Sequence, residues 1–576
     1  MSTGQPNILI IMTDQLRHPT VYESDDLRRF RREKLTAEAS LRDSGVSFER
    51  HYCMSAACAP SRASLITGQY PSLHGVTQTD GLAKSADGPD MFWLAPDTVP
   101  TIGDWFRAGG YRTFYKGKWH VSHAHLPAPD GKGYLQTLDK DGNSNAENIA
   151  AYLKADLLDA YGFSEWVGPE AHGTGHQNMG TARDPFTANE VITLLKRLDQ
   201  DGNKTPWLTV CSFLNPHDIA AFGIAALTQG LRYDFNSVPS VPASPTQEED
   251  LSTKPACQQS YVDVWGKMLA PQPWIEAQRR FYYQLQATVD EQIGRVLAAL
   301  RATGAYENTI VVFSADHGDM LGAHGGMHQK WYQAYEETVH VPFVVSSPLF
   351  PGGRREGNIP TSHADLLPTL LGLAGIDQGE ALKRVAASHT EAHPLLGRDL
   401  SGLIRGTLRS PSEPILFMTD DEISKGNAPS LPTQRWARKL GIYAEVVQPN
   451  HIETVIAKVD IDGEDHVVKF SRYHDNPQFW TVPGVRDERL QRGKKIDAVT
   501  ERTPDEYELY DLTLDPLEQR NLAHPRNANE RSRKLQERMY QLLVEQLKAK
   551  RLVPASGGKP GYQPPTGAIR KEAVPS

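Results

Sequence analysis

The chain has 576 residues, 39% hydrophobic and 23% charged, with a formal net charge of -9. That length exceeds what one hydrophobic core usually serves, so two domains are expected. The composition is that of an ordinary soluble globular protein. The negative balance excludes non-specific nucleic-acid binding and still allows a locally cationic site.

Four cysteines, Cys53, Cys58, Cys211 and Cys257, are too few and too scattered for a disulfide framework or a zinc ribbon. No run approaches the roughly 20 apolar residues of a membrane span. The start, MSTGQPNILIIMTDQ, lacks a basic segment and its apolar run is only strand length. These features predict a cytoplasmic protein with neither membrane nor nucleic-acid partners.

In chain order, 7–12 is an apolar run that reads as a strand buried on both faces of a parallel sheet. It ends in Thr13-Asp14-Gln15. Ligands in open α/β sheets sit at the carboxyl ends of strands, so Asp14 is placed to hold a metal. Residues 34–43 read as a helix ended by Gly45. The run CAPSRASLITGQYPSLHGV follows, with Cys58, Pro60, Ser61 and Arg62 in a C-x-P-S-R pattern. A helix at 101–108 and a strand at 111–115 lead into Gly117-Lys118-Trp119-His120.

Residues 126–183 are rich in Gly, Asp and His with little periodicity, and read as an insertion shaping an entrance. His172 and His176 fall in it and read as solvated loop residues. A helix at 185–198 and a buried strand at 207–214 precede Asn215-Pro216-His217-Asp218. Residues 234–256 form a Pro- and Ser-rich loop.

The segment 274–300 has apolar residues at helical spacing. The buried strand 309–313 is followed by Asp316-His317-Gly318-Asp319. His324 and His328 read as loop packing, and Lys330 follows them. Tyr335-Glu336-Glu337, the run 341–345 and the helix 365–374 read as structural. From about 421 the alternating runs 454–459 and 466–470 predict an antiparallel sheet. A final helix spans 530–550, and 552–576 is a Pro/Gly-rich tail that cannot pack a core alone.

The C-x-P-S-R run, the G-K-W-H turn, D-H-G followed by Lys330, and the C-terminal Y-D-L-x-x-D-P-x-E-x-x-N-L pattern at 510–522 together resemble the type I sulfatases of the alkaline phosphatase superfamily. The Asp14-Gln15 pair is similar to a bacterial arylsulfatase group close to phosphonate monoester hydrolases and choline sulfatases. The resemblance implies an α/β fold with a large, mostly parallel central sheet flanked by helices and a smaller C-terminal α+β domain on an antiparallel sheet. Expected boundaries are 1–420, 421–551 and the tail 552–576, which would dock on a neighbouring subunit of a homo-oligomer.

The resemblance also implies hydrolysis of sulfate monoesters, with aryl sulfates as the expected class. Cys58 would be oxidised to formylglycine by a formylglycine-generating enzyme, and its gem-diol would attack sulfur to form a hemiacetal sulfate. Asp14, Asp316, His317 and the Cys58-derived oxygen would hold one divalent cation, calcium or manganese, with Gln15 as a further oxygen donor. Arg62 and Lys118 would neutralise charge. Lys330 would contact the bridging oxygen, His217 would protonate the leaving group, and His120 would take the proton that triggers collapse. The residue types suit the task, because an anionic ester needs positive charge and a strong nucleophile.

A phosphonate monoester or phosphodiester hydrolase with the same machinery is the near alternative, and the G-K-W-H turn favours sulfate over it. A choline sulfatase is another. Thr79 stands about where close relatives carry Asn. A non-catalytic binding protein on this fold is the alternative from a different class.

Overall fold

A computed structural model describes residues 4–555 except 82–83, 89–90, 132, 172–174, 223–236, 265–274, 358, 408–411, 426–444 and 492–493. The main sheet has seven strands: β1 Asn7–Asp14, β2 Gly45–Phe48, β3 Arg112–Gly117, β4 Trp207–Pro216, β5 Thr309–Ala315, β6 Phe343–Ser346 and β7 Arg354–Glu356. Their order is β3-β4-β1-β5-β6-β2-β7. All run parallel except β6, which is antiparallel to both neighbours.

The apolar run of β1 explains its central place. Ile8, Ile10 and Met12 pack on one face with Val210 of β4 and Val312 of β5. Leu9 and Ile11 pack on the other with Phe213 and Phe313. A strand with two buried faces has no polar positions to spare, which is why its sequence shows no alternation. Truncating Ile10 to Ala would cost roughly 2–5 kcal/mol.

Helices cover both faces. One side carries α1 Cys58–Thr67 and α4 Leu366–Ala374. The other carries α2 Gly180–Gln200 and α3 Glu276–Arg301. A second sheet is fully antiparallel, in the order β8 Ile415–Thr419, β9 His451–Ile461, β10 Glu464–His474 and β11 Glu506–Asp511. One of its faces packs on the last helix, α5 Glu530–Lys550, through Met539, Leu543 and Leu547. The other packs on the first layer through Tyr52, Trp331 and Tyr332. This is the fold expected from the sequence, a mostly parallel sheet with helices and a separate antiparallel sheet.

Several helices were not expected from the sequence, among them Asp25–Lys34 and Ala146–Ala155. Asp25–Lys34 buries only Leu27 and Phe30, and Ala146–Ala155 only Tyr152. Neither has an apolar stripe wide enough to stand out from a polar loop. The tail beyond 555, with its expected subunit contact, and His172 lie outside the described residues. Among the described residues, no helix is long and apolar enough to cross a membrane.

Candidate active site

Four adjacent parallel strands end side by side, and each delivers a predicted site residue. Asp14 closes β1, Lys118 follows β3, His217 follows β4, and Asp316-His317 follow β5. Cys58 comes from the other direction, as the first residue of α1, whose ten residues are all buried. The partial positive charge of that helix start favours an anion beside it.

Arg62, one turn on, is 1% exposed and spends its donors on the surrounding strand ends. Its Nε donates to Asp316 Oδ2 at 2.8 Å and Nη2 donates to Asp14 Oδ2 at 3.1 Å. Its Nη1 donates to Lys118 O and Ser212 Oγ, both at 2.9 Å. Burial works against its charge, but Asp316 and Asp14 outweigh burial and raise its pKa. Ser61 secures the same helix by donating to Asp316 O at 2.5 Å.

The Cys58 sulfur lies at the centre. Lys330 Nζ is 3.0 Å from it, His317 Nε2 3.1 Å, and the thiol donates to Asp14 Oδ1 at 3.8 Å. A formylglycine made from Cys58 would carry its oxygen where the sulfur stands. Candidate ligand atoms of Asp14, Cys58, Asp316 and His317 all lie within 4.8 Å of one another. His317 Nδ1 faces Gly318 O at 2.9 Å, which makes Nδ1 the protonated nitrogen and leaves the Nε2 lone pair for the cluster. Two carboxylates and one imidazole fit a divalent cation of the calcium or manganese kind.

Asp14 is fully buried, and burial pushes its carboxyl up. Lys118, His217, Arg62 and Lys330 more than compensate and hold it well below the usual carboxylate range. Lys118 Nζ sits 2.5 Å from Asp14 Oδ2. Gln15 has φ 69°, which turns its side chain out of the strand line. Its Oε1 accepts from Lys330 Nζ at 2.7 Å, while its Nε2 donates to Asp319 at 2.5 Å and to Gln329 at 2.9 Å.

Both loop glycines are dictated by space. A Cβ on Gly117, at φ 91°, would meet Ser212 O at 2.0 Å, and one on Gly318 would meet Glu337 O at 2.1 Å.

His120 takes φ 54°, in the left-handed region that few residues other than glycine adopt. Two carboxylates that the sequence did not single out hold it there. Glu170 Oε1 accepts from the backbone N–H of Trp119 at 2.7 Å and of His120 at 2.8 Å. Asp80 Oδ1 lies 2.6 Å from His120 Nε2. Burial opposes charge on this imidazole, but Asp80 prevails, so its pKa is raised; the ring also bonds to Cys58. Asp80 lies only a residue beyond Thr79, so attention to that stretch was the one available signal. Glu170 lies in the segment read as a featureless insertion.

His217 is placed by the strand end and is electrostatically coupled to Lys118, Asp14, Lys330 and His317. Burial first, then Lys118, hold its imidazole well below its ordinary pKa. His324 and His328 stand outside the Asp14 cluster. His324 belongs to a second grouping with Glu337 and Glu518. There Lys469 reaches Glu336 at 2.7 Å and Glu518 at 3.0 Å, and His324 Nδ1 lies 2.7 Å from Glu249. Lysine and histidine supply that grouping's positive charge, and it ties the first layer to the second sheet.

The sheet order, the strand-end carboxylates and the helix-start cysteine define an alkaline phosphatase-like fold with a cluster able to hold a metal ion. A family model described as Sulfatase matches residues 6–376, more than half of the chain. The chain belongs to the sulfatase family. It is similar to the "Uncharacterized sulfatase YidJ" of Escherichia coli (28% identical over 400 residues, 66% of this chain and 69% of that one). It is also similar to the choline-sulfatase of Rhizobium meliloti (29% identical over 394 residues, covering 66% and 70%). Among solved structures, a 2-O GAG sulfatase superposes with a TM-score of 0.59 at 21% identity, covering 94% of this chain and 92% of that one. The phosphonate monoester hydrolase of Agrobacterium radiobacter superposes at 0.56 and 20% identity, covering 95% and 96%. These superpositions speak to the fold.

Proposed function

We propose that this sulfatase hydrolyses aryl sulfate monoesters with a formylglycine made from Cys58. The observation that carries the reading is the position of the Cys58 sulfur, 3.0 Å from Lys330 and 3.1 Å from His317 at the start of a buried helix. A group there faces a positively charged surround suited to an anionic ester.

Asp14, Asp316 and His317, with the oxygen that replaces the sulfur, would hold a calcium or manganese ion, with Gln15 as a further oxygen donor. When bound, such an ion lowers the pKa of a nearby hydroxyl and draws charge off the ester oxygens.

The chain's own residues do the rest. Arg62 keeps Asp14, Asp316 and the helix start in register. Lys118 and Lys330 offer ammonium groups to the ester oxygens, Lys330 to the bridging one. One hydroxyl of the hydrated aldehyde loses its proton to solvent and bonds to sulfur as the bond from sulfur to the leaving oxygen breaks, and His217 gives that oxygen a proton that it regains from solvent. Burial, reinforced by Lys118 and Lys330, favours neutral His217, and an arriving anionic ester offsets the lysines and favours its protonated form. His120 then takes the proton of the second hydroxyl, the carbon–oxygen bond to sulfate breaks, the aldehyde reforms, and water rehydrates it.

The deciding experiment measures kcat/KM on an aryl sulfate and an aryl phosphonate monoester, with protein co-produced with a formylglycine-generating enzyme. A large preference for the sulfate is expected. A preference for the phosphonate would defeat the reading. The peptide containing Cys58 should weigh less by the difference between H2S and one oxygen atom, and an unmodified Cys58 in active protein would defeat the formylglycine step.

A further inference from the structure

Three segments that carry the chemistry are tied to one carboxylate outside the set above. Asp421 lies just past β8, the edge strand of the second sheet, and is 3% exposed. Its Oδ2 accepts from the backbone N–H of Ala57 at 3.4 Å and from Trp331 Nε1 at 3.1 Å. Its Oδ1 accepts from the N–H of Thr79 at 3.2 Å.

Each donor is next in sequence to a site residue. Ala57 precedes Cys58. Thr79 precedes Asp80, the partner of His120. Trp331 follows Lys330, whose Nζ lies 5.3 Å from the centre of the Trp331 ring. The residues around Asp421 grip the same segments. The Thr419 hydroxyl donates to Ala56 O. Asp420 O accepts from Gln78 Nε2 at 2.7 Å, and Glu422 N donates to Gln78 Oε1 at 3.2 Å.

We propose that Asp421 is a positioning residue for the reaction, setting Cys58, Asp80 and Lys330 relative to one another. The residue type follows from the contacts. Three N–H groups converge from three directions, and only an ionised carboxylate is acceptor on both oxygens. An amide would turn a donor toward one of them and leave that buried N–H unpaired. The second sheet therefore helps to shape the site through the segment just past β8. The inference rests on the active-site reading but not on the identity of the ester.

The test uses full-length Asp421→Asn and Trp331→Phe, each assayed on the aryl sulfate and the aryl phosphonate, with Cys58 conversion measured by mass for every preparation. Per converted chain, Asp421→Asn should lose kcat on the order of 100-fold while KM changes by less than about threefold, because a displacement of about 1 Å costs that much in rate. Trp331→Phe keeps the carboxylate and removes one donor, so its loss should be smaller, on the order of tenfold. Wild-type kcat per converted chain in either variant overturns the proposal, and Trp331→Phe decides alone if Asp421→Asn does not fold. Loss of kcat in strict proportion to the folded fraction also overturns it. A wild type active only on the phosphonate would defeat the sulfate reading and leave this comparison intact.

Discussion

Asp80 and His120 form a pair, with Oδ1 2.6 Å from Nε2 and both side chains almost closed to solvent. The carboxylate fixes the ring's orientation and favours its protonated form. If His120 takes a proton during turnover, Asp80→Asn should lower kcat by roughly 10- to 100-fold, with a smaller change in KM. Steady-state kinetics at several pH values would check this. An unchanged kcat would remove His120 from the proton-transfer role.

Arg62 sits between Asp14 and Asp316, all three buried. Removing one partner of a buried ion pair leaves uncompensated charge. Arg62→Met should therefore destabilise the fold by about 3–5 kcal/mol in urea melts, as well as abolish turnover. A loss below about 1 kcal/mol would show that Lys118 and Lys330 suffice to hold the carboxylates.

His324 makes stability depend on pH. Burial opposes its charge, but Glu249 and Glu337 outweigh burial and raise its pKa from 6.5 to about 9. A raised imidazole pKa means that the folded state binds the proton more tightly. The stabilisation is therefore complete below about pH 6.5 and disappears as pH rises through about 9, a total on the order of 3 kcal/mol. His451, held by Asp420 and Glu422 and also raised to about 9, acts in the same window. Urea melts should lose stability across that interval, and His324→Gln should remove part of the slope. An identical slope in the variant would contradict the assignment.

Asp14 and Asp316 are the anionic members of the proposed cation site. Wild-type protein should carry about one divalent cation per chain by elemental analysis, and a chelator should lower its Tm. Asp316→Asn should lose the ion and the chelator response together. An ion retained in that variant would place the metal elsewhere.

Much of the site was legible because its parts are local. An apolar run ending in Asp14, or one ending in Asp316-His317-Gly318, declares a buried strand and the loop beyond it within a few residues. The C-x-P-S-R run likewise encodes a helix start with Cys58 and Arg62 one turn apart. Strand-end placement then brings these pieces together, because parallel strands share one carboxyl edge.

What the tertiary structure decided is which carboxylates serve those pieces. Glu170 reaches the 117–120 turn from 50 residues away. Asp421 reaches Ala57 across 364 positions and Thr79 across 342. Asp80, Glu170 and Asp421 carry no periodicity and no motif, and as isolated letters they are ordinary loop residues. Their roles come from hydrogen bonds between segments distant in sequence, and such bonds exist only once the two sheets have packed and closed the site to water.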